Sequence, residues 1–270
     1  MQNLQLNSRL INPLDFRGLS ANKTDCTKHV DEPCVVYVNG NQTPSIVYLQ
    51  IPEMLENLVQ TLKKIKFSTS YRTRGMISTS RTFGYAPRKV VRGRESCHNA
   101  SLDYEHPELS KEVCNAVKII NDAYKLYVPD IYEKHLESTK VVLDDWKLGS
   151  TPFTSGIINK DNRLPYHFDG GNFKDCWSNM LTFKHAIIGG HLACPEIDTS
   201  FELRDNTLLM FDGQKMLHGV TAFSKLQSDS YRYTVVYYSL HNMWQCLPPA
   251  EEISRAATKR MEREKKIRSA

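Results

Sequence analysis

The chain has 270 residues, of which 40% are hydrophobic and 24% charged, and its formal net charge is +5. This length and balance are ordinary for a soluble globular protein and predict a single sizeable domain that buries its core without disulfides. The seven cysteines, an odd number spread along the chain with no C-x-x-C pair, argue for a reducing compartment and against a zinc ribbon or a disulfide framework.

The first predicted elements are a β-hairpin and two helices. Residues 35–38 and 46–49 are apolar and β-branched around an Asn39-Gly40 turn, which predicts a hairpin. An apolar stripe at helical spacing over 55–65 predicts a first helix. Pro107 opens a second predicted helix, whose stripe continues to residue 124 and which ends near residue 129.

The segment from residue 57 to residue 94 is strongly basic. It contains ten Lys or Arg and no Asp or Glu, which leaves a charge of −5 for the rest of the chain. Aromatic residues and glycines are interleaved with these charges, and such a basic loop can contact phosphates and stack on bases, although a solvated basic surface would have the same composition. We predict nucleic-acid contacts from this segment, with four candidate arginines: Arg72, Arg74, Arg81 and Arg88.

From about residue 141 the pattern changes to short strands broken by Gly, Asp and Asn. The predicted strands include 179–183, 189–192, 208–211 and 231–238. Short strands of this kind indicate a closed or two-sheet β-core. Residues 251–270 are predicted to form a charged helix or a frayed end, and there is no internal repeat.

His167, Asp169 and His218 are candidate metal ligands. On an extended segment, residues two apart share a face, as His167 and Asp169 would. Such a pair alone is usually a surface or core feature. His218, however, follows an apolar strand and a turn at Asp212-Gly213, which places it at a strand end. Two histidines and one carboxylate hold one face of a non-heme iron(II) and leave positions open for a co-substrate and oxygen.

Arg232 supplies the second part of the pattern, fourteen residues past His218. The strand 231–238 would place Arg232, Thr234 and Tyr238 on one face. A buried, unpaired arginine costs several kcal/mol, so we expect an anion at this position. The planar guanidinium matches the distal carboxylate of 2-oxoglutarate, and the full set predicts an iron(II) and 2-oxoglutarate dioxygenase.

Several motifs together resemble the TET/J-binding-protein family of DNA 5-methylpyrimidine dioxygenases, particularly its small bacteriophage and bacterial members. The resemblance covers nearly the whole chain and rests on Tyr71-Arg-Thr-Arg-Gly75, Arg81-Thr-Phe-Gly-Tyr-Ala-Pro-Arg88, Leu164-Pro-Tyr-His-Phe-Asp-Gly-Gly-Asn172, His218-Gly-Val220 and Arg232-Tyr-Thr-Val-Val-Tyr-Tyr238. It implies iron(II) bound by His167, Asp169 and His218, and 2-oxoglutarate bound by Arg232 with help from Thr234. Oxygen would be the oxidant and ascorbate the reductant.

The resemblance also implies substrate contacts. Asn172 would hydrogen-bond the methylated base and Tyr238 would stack on it. His191 resembles a histidine near 2-oxoglutarate, with a satisfied core histidine as the alternative. Animal TET enzymes place a base-contacting histidine where this chain has Leu240, followed by His241. Either the strand shifts by one residue, which would turn His241 to the substrate side, or another group reads the base.

Two other family features are missing from the sequence. The cysteine-rich zinc modules of animal TETs have no counterpart here, so the basic segment is the candidate for holding DNA. An arginine that assists 2-oxoglutarate in those enzymes has no clear equivalent near residues 151–156.

We therefore predict an α+β protein with a double-stranded β-helix core, of the jelly-roll or cupin-like type, flanked by N-terminal helices. Within this single domain, the expected regions are an N-terminal hairpin (1–50), a helical and basic DNA-contacting region (51–140), the catalytic core (141–247) and a charged tail (248–270). We expect a monomer without a membrane segment, located in the cytoplasm of a bacterium or a phage-infected cell.

The predicted reaction is conversion of 5-methylcytosine in DNA to 5-hydroxymethylcytosine, with the nucleotide flipped out of the duplex. Further oxidation to the formyl and carboxyl forms would extend the same chemistry. Three alternatives stay open: hydroxylation of thymine to 5-hydroxymethyluracil, oxygenation of a small molecule or protein side chain, and a non-catalytic DNA-binding module with a vestigial barrel.

Overall fold

The computed structural model describes residues 1–51, 55–71, 77–90 and 93–268. Its helices are α1 (Pro13–Phe16), α2 (Glu56–Lys64), α3 (Ser101–Glu105), α4 (Pro107–Asn115), α5 (Val117–Tyr127), α6 (Pro129–Thr139) and α7 (Pro249–Arg268). Its strands are β1 (Gln2–Leu6), β2 (Lys28–Val30), β3 (Cys34–Val38), β4 (Ile46–Gln50), β5 (Ser68–Tyr71), β6 (Ile77–Ala86), β7 (His98–Asn99), β8 (Ser155–Lys160), β9 (Ser178–His185), β10 (Ile187–Gly189), β11 (Leu192–Cys194), β12 (Thr199–Phe201), β13 (Thr207–Phe211), β14 (Gly219–Val220), β15 (Phe223–Lys225) and β16 (Tyr231–Tyr238).

Two sheets form the centre of the molecule. The larger has the strand order β1-β3-β4-β13-β9-β16-β8-β6-β5, with β7 paired to β6, and the smaller has the order β14-β11-β12-β2. Strands β10 and β15 form a separate pair. Apolar side chains from both sheets pack together in one cluster, including Leu209 and Phe211 from β13 and Leu192 and Phe201 from the smaller sheet. The predicted two-sheet core and α+β class are confirmed.

The helices cover the other face of the larger sheet. Leu62 of α2 and Ile120 and Tyr124 of α5 join one buried cluster with alternate residues of β16. Because side chains alternate across a strand, Tyr233, Val235 and Tyr237 face these helices, and the intervening residues face the smaller sheet. This alternation positions the candidate site between the two sheets.

Two predicted elements are divided in the structure. The single helix predicted from residue 107 consists of α4 and α5, with a break at Ala116, and α6 follows as a further helix that the sequence did not predict. The strand predicted over 189–192 is interrupted because Gly189 and Gly190 have φ values of 83° and 71°, which end β10 before β11 begins.

The basic segment is not a single loop. Its described residues include all of α2 after Glu56 and the antiparallel strands β5 and β6. The Phe83 ring is fully buried and occupies the space above Gly156, where an added Cβ would lie 2.0 Å from the ring. Phe67 and Tyr85 also pack against the core. Phe83 therefore stabilises the fold and is not available to stack on a base, whereas base stacking by the partly buried Phe67 and Tyr85 stays a prediction.

A disulfide joins Cys97 to Cys246, at a sequence separation of 149. The spread of the cysteines gave no sign of this pair, since only the fold brings the two residues together, and the argument against disulfides fails at this position. In the part of the chain that the structure describes, the longest helix, α7, is highly charged and no helix is suited to crossing a membrane.

Candidate active site

His167, Asp169 and His218 meet at one end of the space between the sheets. One potential ligand atom from each lies within 4.8 Å of the other two. Asp169 Oδ1 is 3.7 Å from His167 Nε2 and 3.8 Å from His218 Nε2. Paired backbone hydrogen bonds between His167 and His218, of 2.9 and 3.1 Å, fix the separation of the two histidines.

Both imidazoles are oriented in the same way. His167 Nδ1 lies 2.8 Å from the Pro165 carbonyl oxygen, and His218 Nδ1 lies 2.9 Å from the Met216 carbonyl oxygen. A carbonyl can only accept, so each Nδ1 donates to it, and each Nε2 faces the common centre as the potential ligand atom. Hydrogen bonds of this kind fix the ring orientation of metal-binding histidines.

The Asp169 carboxylate is held by its surroundings. Ser178 Oγ donates to Asp169 Oδ2 at 2.9 Å, and Asp169 N donates to the Gly213 carbonyl at 2.8 Å. An added Cβ on Gly213 would lie 2.1 Å from Asp169 Oδ2, so this close approach requires glycine. Two imidazoles and a carboxylate on one side of a point are the donor set that fits iron(II).

Arg232 lies deeper in the same cavity and is 2% exposed. Burial lowers the pKa of its guanidinium to about 10, while the nearby Asp161 carboxylate acts in the opposite direction. Its Nε and Nη2 atoms have no hydrogen-bond partner among the described residues. Asp161 instead accepts from the Arg232 backbone N–H at 2.9 Å and from Lys225 Nζ at 2.6 Å. The guanidinium therefore fits a carboxylate ligand that would satisfy these donors.

Two asparagines on β8 and the following turn complete the polar end of the cavity. Asn159 Nδ2 donates to Thr234 Oγ1 at 3.2 Å, and Asn162 Nδ2 donates to Asn159 Oδ1 at 3.0 Å. Asn162 also accepts from the Thr79 backbone N–H at 2.7 Å. Neither asparagine was predicted to belong to the site, although both lie shortly before the His-x-Asp segment in the sequence.

The cavity has a volume of about 840 Å³ and contains the metal-ligand candidates, Arg232 and Thr234 in one enclosure. Asn172, Tyr238 and Leu240 line its other end. The residues predicted to share one face of β16 do so.

The structure does not bring His191 or His241 into the cavity. His191 is half-buried. Its two neighbours in the chain approach the site instead: Gly190 lies against the Arg232 side chain, and Leu192 lines the cavity. Burial lowers the pKa of His191. His241 is exposed and begins a short 3-10 helix, while Leu240 faces the cavity.

The four arginines predicted to contact nucleic acid differ in their surroundings. Arg72 and Arg74 lie outside the described residues. Arg81 forms an ion pair with Glu105 at 2.8 Å and donates to the Lys66 carbonyl. Arg88 forms an ion pair with the buried Glu252, with Nε 2.9 and 3.0 Å from the two carboxylate oxygens.

Comparison with known proteins gives three findings. The family model Tet_JBP, the oxygenase domain of the 2OGFeDO superfamily, matches residues 84–241. Thymine dioxygenase JBP1 of Trypanosoma brucei brucei is 22% identical over 166 residues, which are 61% of this chain but 19% of that protein. The solved structure of NgTET1 in complex with 5mC DNA has a TM-score of 0.60, covers 86% of each chain and is 14% identical. At this identity the likeness extends to the fold, and it confirms the predicted double-stranded β-helix core.

Proposed function

Since the chain belongs to the Tet_JBP family of 2OGFeDO oxygenases, which use iron(II), 2-oxoglutarate and oxygen, we propose that it hydroxylates the 5-methyl group of 5-methylcytosine in DNA. The proposal rests on one cavity that contains all the required groups. The three metal-ligand candidates and the unpartnered nitrogens of Arg232 lie in it, and Asn172 and Tyr238 line its other end. Its volume of about 840 Å³ lies within the usual range of ligand sites.

Different residues of the cavity would bind the iron and the 2-oxoglutarate. His167 Nε2, His218 Nε2 and Asp169 would hold the iron, and Arg232 would hold the distal carboxylate of 2-oxoglutarate. Thr234 would add a hydroxyl beside that carboxylate, its Oγ1 already accepting from Asn159. When bound, iron and 2-oxoglutarate supply with oxygen the oxidising power that hydroxylates an unactivated methyl group, leaving succinate and carbon dioxide.

The methyl group must come to this cavity, because in a duplex it lies in the major groove, out of reach of a site enclosed between two sheets. Flipping the nucleotide costs a few kcal/mol. Stacking of the base on Tyr238 and hydrogen bonding to Asn172 would offset that cost, and aromatic stacking contributes about 1–3 kcal/mol per base. Both side chains line the cavity wall.

The surroundings of Asn172 support cytosine over thymine. Asn172 Nδ2 donates to Ser178 Oγ at 3.2 Å, and Ser178 Oγ donates in turn to Asp169. Because its amide nitrogen donates to Ser178, Asn172 would meet the base through Oδ1, which is an acceptor. The 4-amino group of 5-methylcytosine can donate to this oxygen, whereas O4 of thymine cannot.

Thymine hydroxylation is the second candidate. It is favoured by the similarity to a trypanosome protein named as a thymine dioxygenase. The remaining N–H of the Asn172 amide could serve a thymine O4.

Mass spectrometry of nucleosides would test the proposal, using DNA that contains both 5-methylcytosine and thymine, with iron(II), ascorbate and 2-oxoglutarate. Hydroxymethylcytosine supports the proposal and hydroxymethyluracil supports the second candidate. Succinate without either product would show that the substrate is a different molecule. Asp169→Ala should abolish every product, and full activity of this variant would refute the ligand assignment.

A further inference from the structure

Residues 16–21, here called the N-terminal strap, form part of the wall of the catalytic cavity. Gly18 N donates to the Tyr166 carbonyl at 2.8 Å, and Tyr166 N donates to the Leu19 carbonyl at 2.9 Å. The strap therefore runs beside the backbone that carries His167. Arg17, Gly18 and Ser20 line the cavity together with the metal-ligand candidates.

Specific packing holds the strap in this position. The Phe16 and Tyr166 rings meet edge to face with centroids 5.7 Å apart. Ala21 is fully buried, and an added Cβ on Gly219 would lie 3.0 Å from Ala21 Cβ. Arg163 Nη2 donates to the Ala21 carbonyl at 3.1 Å. These contacts anchor both ends of the strap against the segments that carry His167 and His218.

Arg17 is the charged residue of the strap, whose sequence from residue 16 to residue 21 is Phe-Arg-Gly-Leu-Ser-Ala. It is exposed at the cavity wall, and across the described ranges its guanidinium forms no ion pair with a carboxylate. The described residues that line the cavity include one carboxylate, Asp169, which belongs to the metal-ligand cluster. Arg17 and Arg163 are the exposed arginines of the cavity lining and are here called its rim. No other described carboxylate in the lining could neutralise them.

We propose that Arg17 binds a backbone phosphate of the DNA strand whose nucleotide enters the cavity, and that the strap is thus part of the substrate interface. A nucleotide cannot leave the duplex without bringing its flanking phosphates to the rim, where an arginine can bind them. Arg81 and Arg88, by contrast, are occupied by carboxylates. This inference rests on the proposed function and adds a contact outside residues 84–241.

The test is the salt dependence of binding to a 5-methylcytosine duplex. Loss of one phosphate contact should reduce the slope of log K against log salt by about 0.9, which is about fivefold in affinity at ~0.15 M salt. We expect this change in Arg17→Gln and a slope near that of the wild type in Arg17→Lys. Lys23→Gln, which removes a charge from an exposed neighbour that does not line the cavity, should leave the slope unchanged.

Formation of succinate from 2-oxoglutarate in the absence of DNA provides the second readout. It should be the same in Arg17→Gln and in the wild type, since the metal and Arg232 are untouched. A raised KM for 2-oxoglutarate in this reaction would assign Arg17 to the co-substrate and overturn the inference, as would an unchanged salt slope. Wild-type protein that forms succinate but neither binds nor oxidises methylated DNA would instead overturn the proposed function.

Discussion

Arginines occur both in the cavity around Arg232 and in the basic segment at residues 57–94, but they differ in whether the fold supplies them with a hydrogen-bond partner. Arg232 is 2% exposed and has two nitrogen atoms without a partner among the described residues. The side chains of Arg81 and Arg88 are 15% and 16% exposed and bind carboxylates. A charge that the fold neutralises stabilises the protein, whereas a buried charge that it leaves unsatisfied indicates a ligand.

The largest expected effect is on co-substrate binding at Arg232. Arg232→Met should raise the KM for 2-oxoglutarate by more than about 100-fold, since the lost charge-assisted hydrogen bonds contribute about 3 kcal/mol. Without 2-oxoglutarate, the free energy of unfolding should be unchanged or higher, because an unpaired buried charge is removed and Asp161 keeps its bond from Lys225. Steady-state kinetics and denaturant titration measure the two effects. A destabilised variant with an ordinary KM would show that Arg232 stabilises the fold and does not bind the co-substrate.

Arg88→Met should show the reverse pattern. It would leave Glu252, which is 1% exposed, buried without its cation, and we expect a loss of about 3 kcal/mol in the free energy of unfolding. Arg81→Met is the matched control. Its partner Glu105 is 42% exposed, so the loss should be below about 1 kcal/mol. Denaturant titration of the two variants side by side measures the difference, and equal losses would contradict the assignment of Arg88 to the fold.

The fold also leaves space beside the metal-ligand candidates, where Gly213 has no side chain. Gly213→Ala would place a Cβ 2.1 Å from Asp169 Oδ2 and should weaken metal affinity by about 10- to 100-fold. Gly170→Ala is the control, since its added Cβ meets nothing within 4 Å. Titration with Mn(II) or Fe(II), followed by fluorescence or calorimetry, would measure both affinities. Equal affinities would show that Asp169 does not need this space.

The smallest expected effect concerns His135. This buried side chain is neutral in the folded protein, whereas the buried Arg232 keeps its charge. Burial lowers the pKa of His135 to about 3, from about 6.5 in an unfolded chain. The unfolded state therefore binds the proton more tightly. The free energy of unfolding should be nearly constant above about pH 6.5 and fall by up to about 1.4 kcal/mol per pH unit below it.

His135→Gln removes this contribution. The difference in stability between the wild type and this variant should shift with pH between 5 and 7 in denaturant titrations. A difference that does not depend on pH would mean that burial does not lower the pKa of His135 in the folded protein.

The sequence predicted the parts of the site that depend on strand periodicity. Arg232, Thr234 and Tyr238 are spaced by even numbers, and β16 is extended over its whole length, so one face could be assigned before the structure was known. The His-x-Asp spacing placed two ligands on one side of an extended segment in the same way. The third ligand followed from its place just after an apolar strand.

Contacts between distant segments could not be predicted in this way. Nothing in the local pattern pairs Arg88 with Glu252 or Cys97 with Cys246, because each pair is separated by about 150 residues or more. The basic segment was predicted to be a surface because its charge can be read from the sequence. The packing of the Phe83 ring over Gly156 could not be predicted, because it requires β6 and β8 to lie side by side. The N-terminal strap was missed for the same reason.

The pairing of β4 with β13 has a consequence for how far the protein can be shortened. Five residue pairs join these strands, and β13 lies between β4 and β9 in the larger sheet. A fragment trimmed to residues 84–241 would keep β13 and lose β4, which would leave a fully buried apolar strand with one open edge. Open apolar edges pair with other chains, so such a fragment should aggregate. The matched segment is thus shorter than the unit that folds.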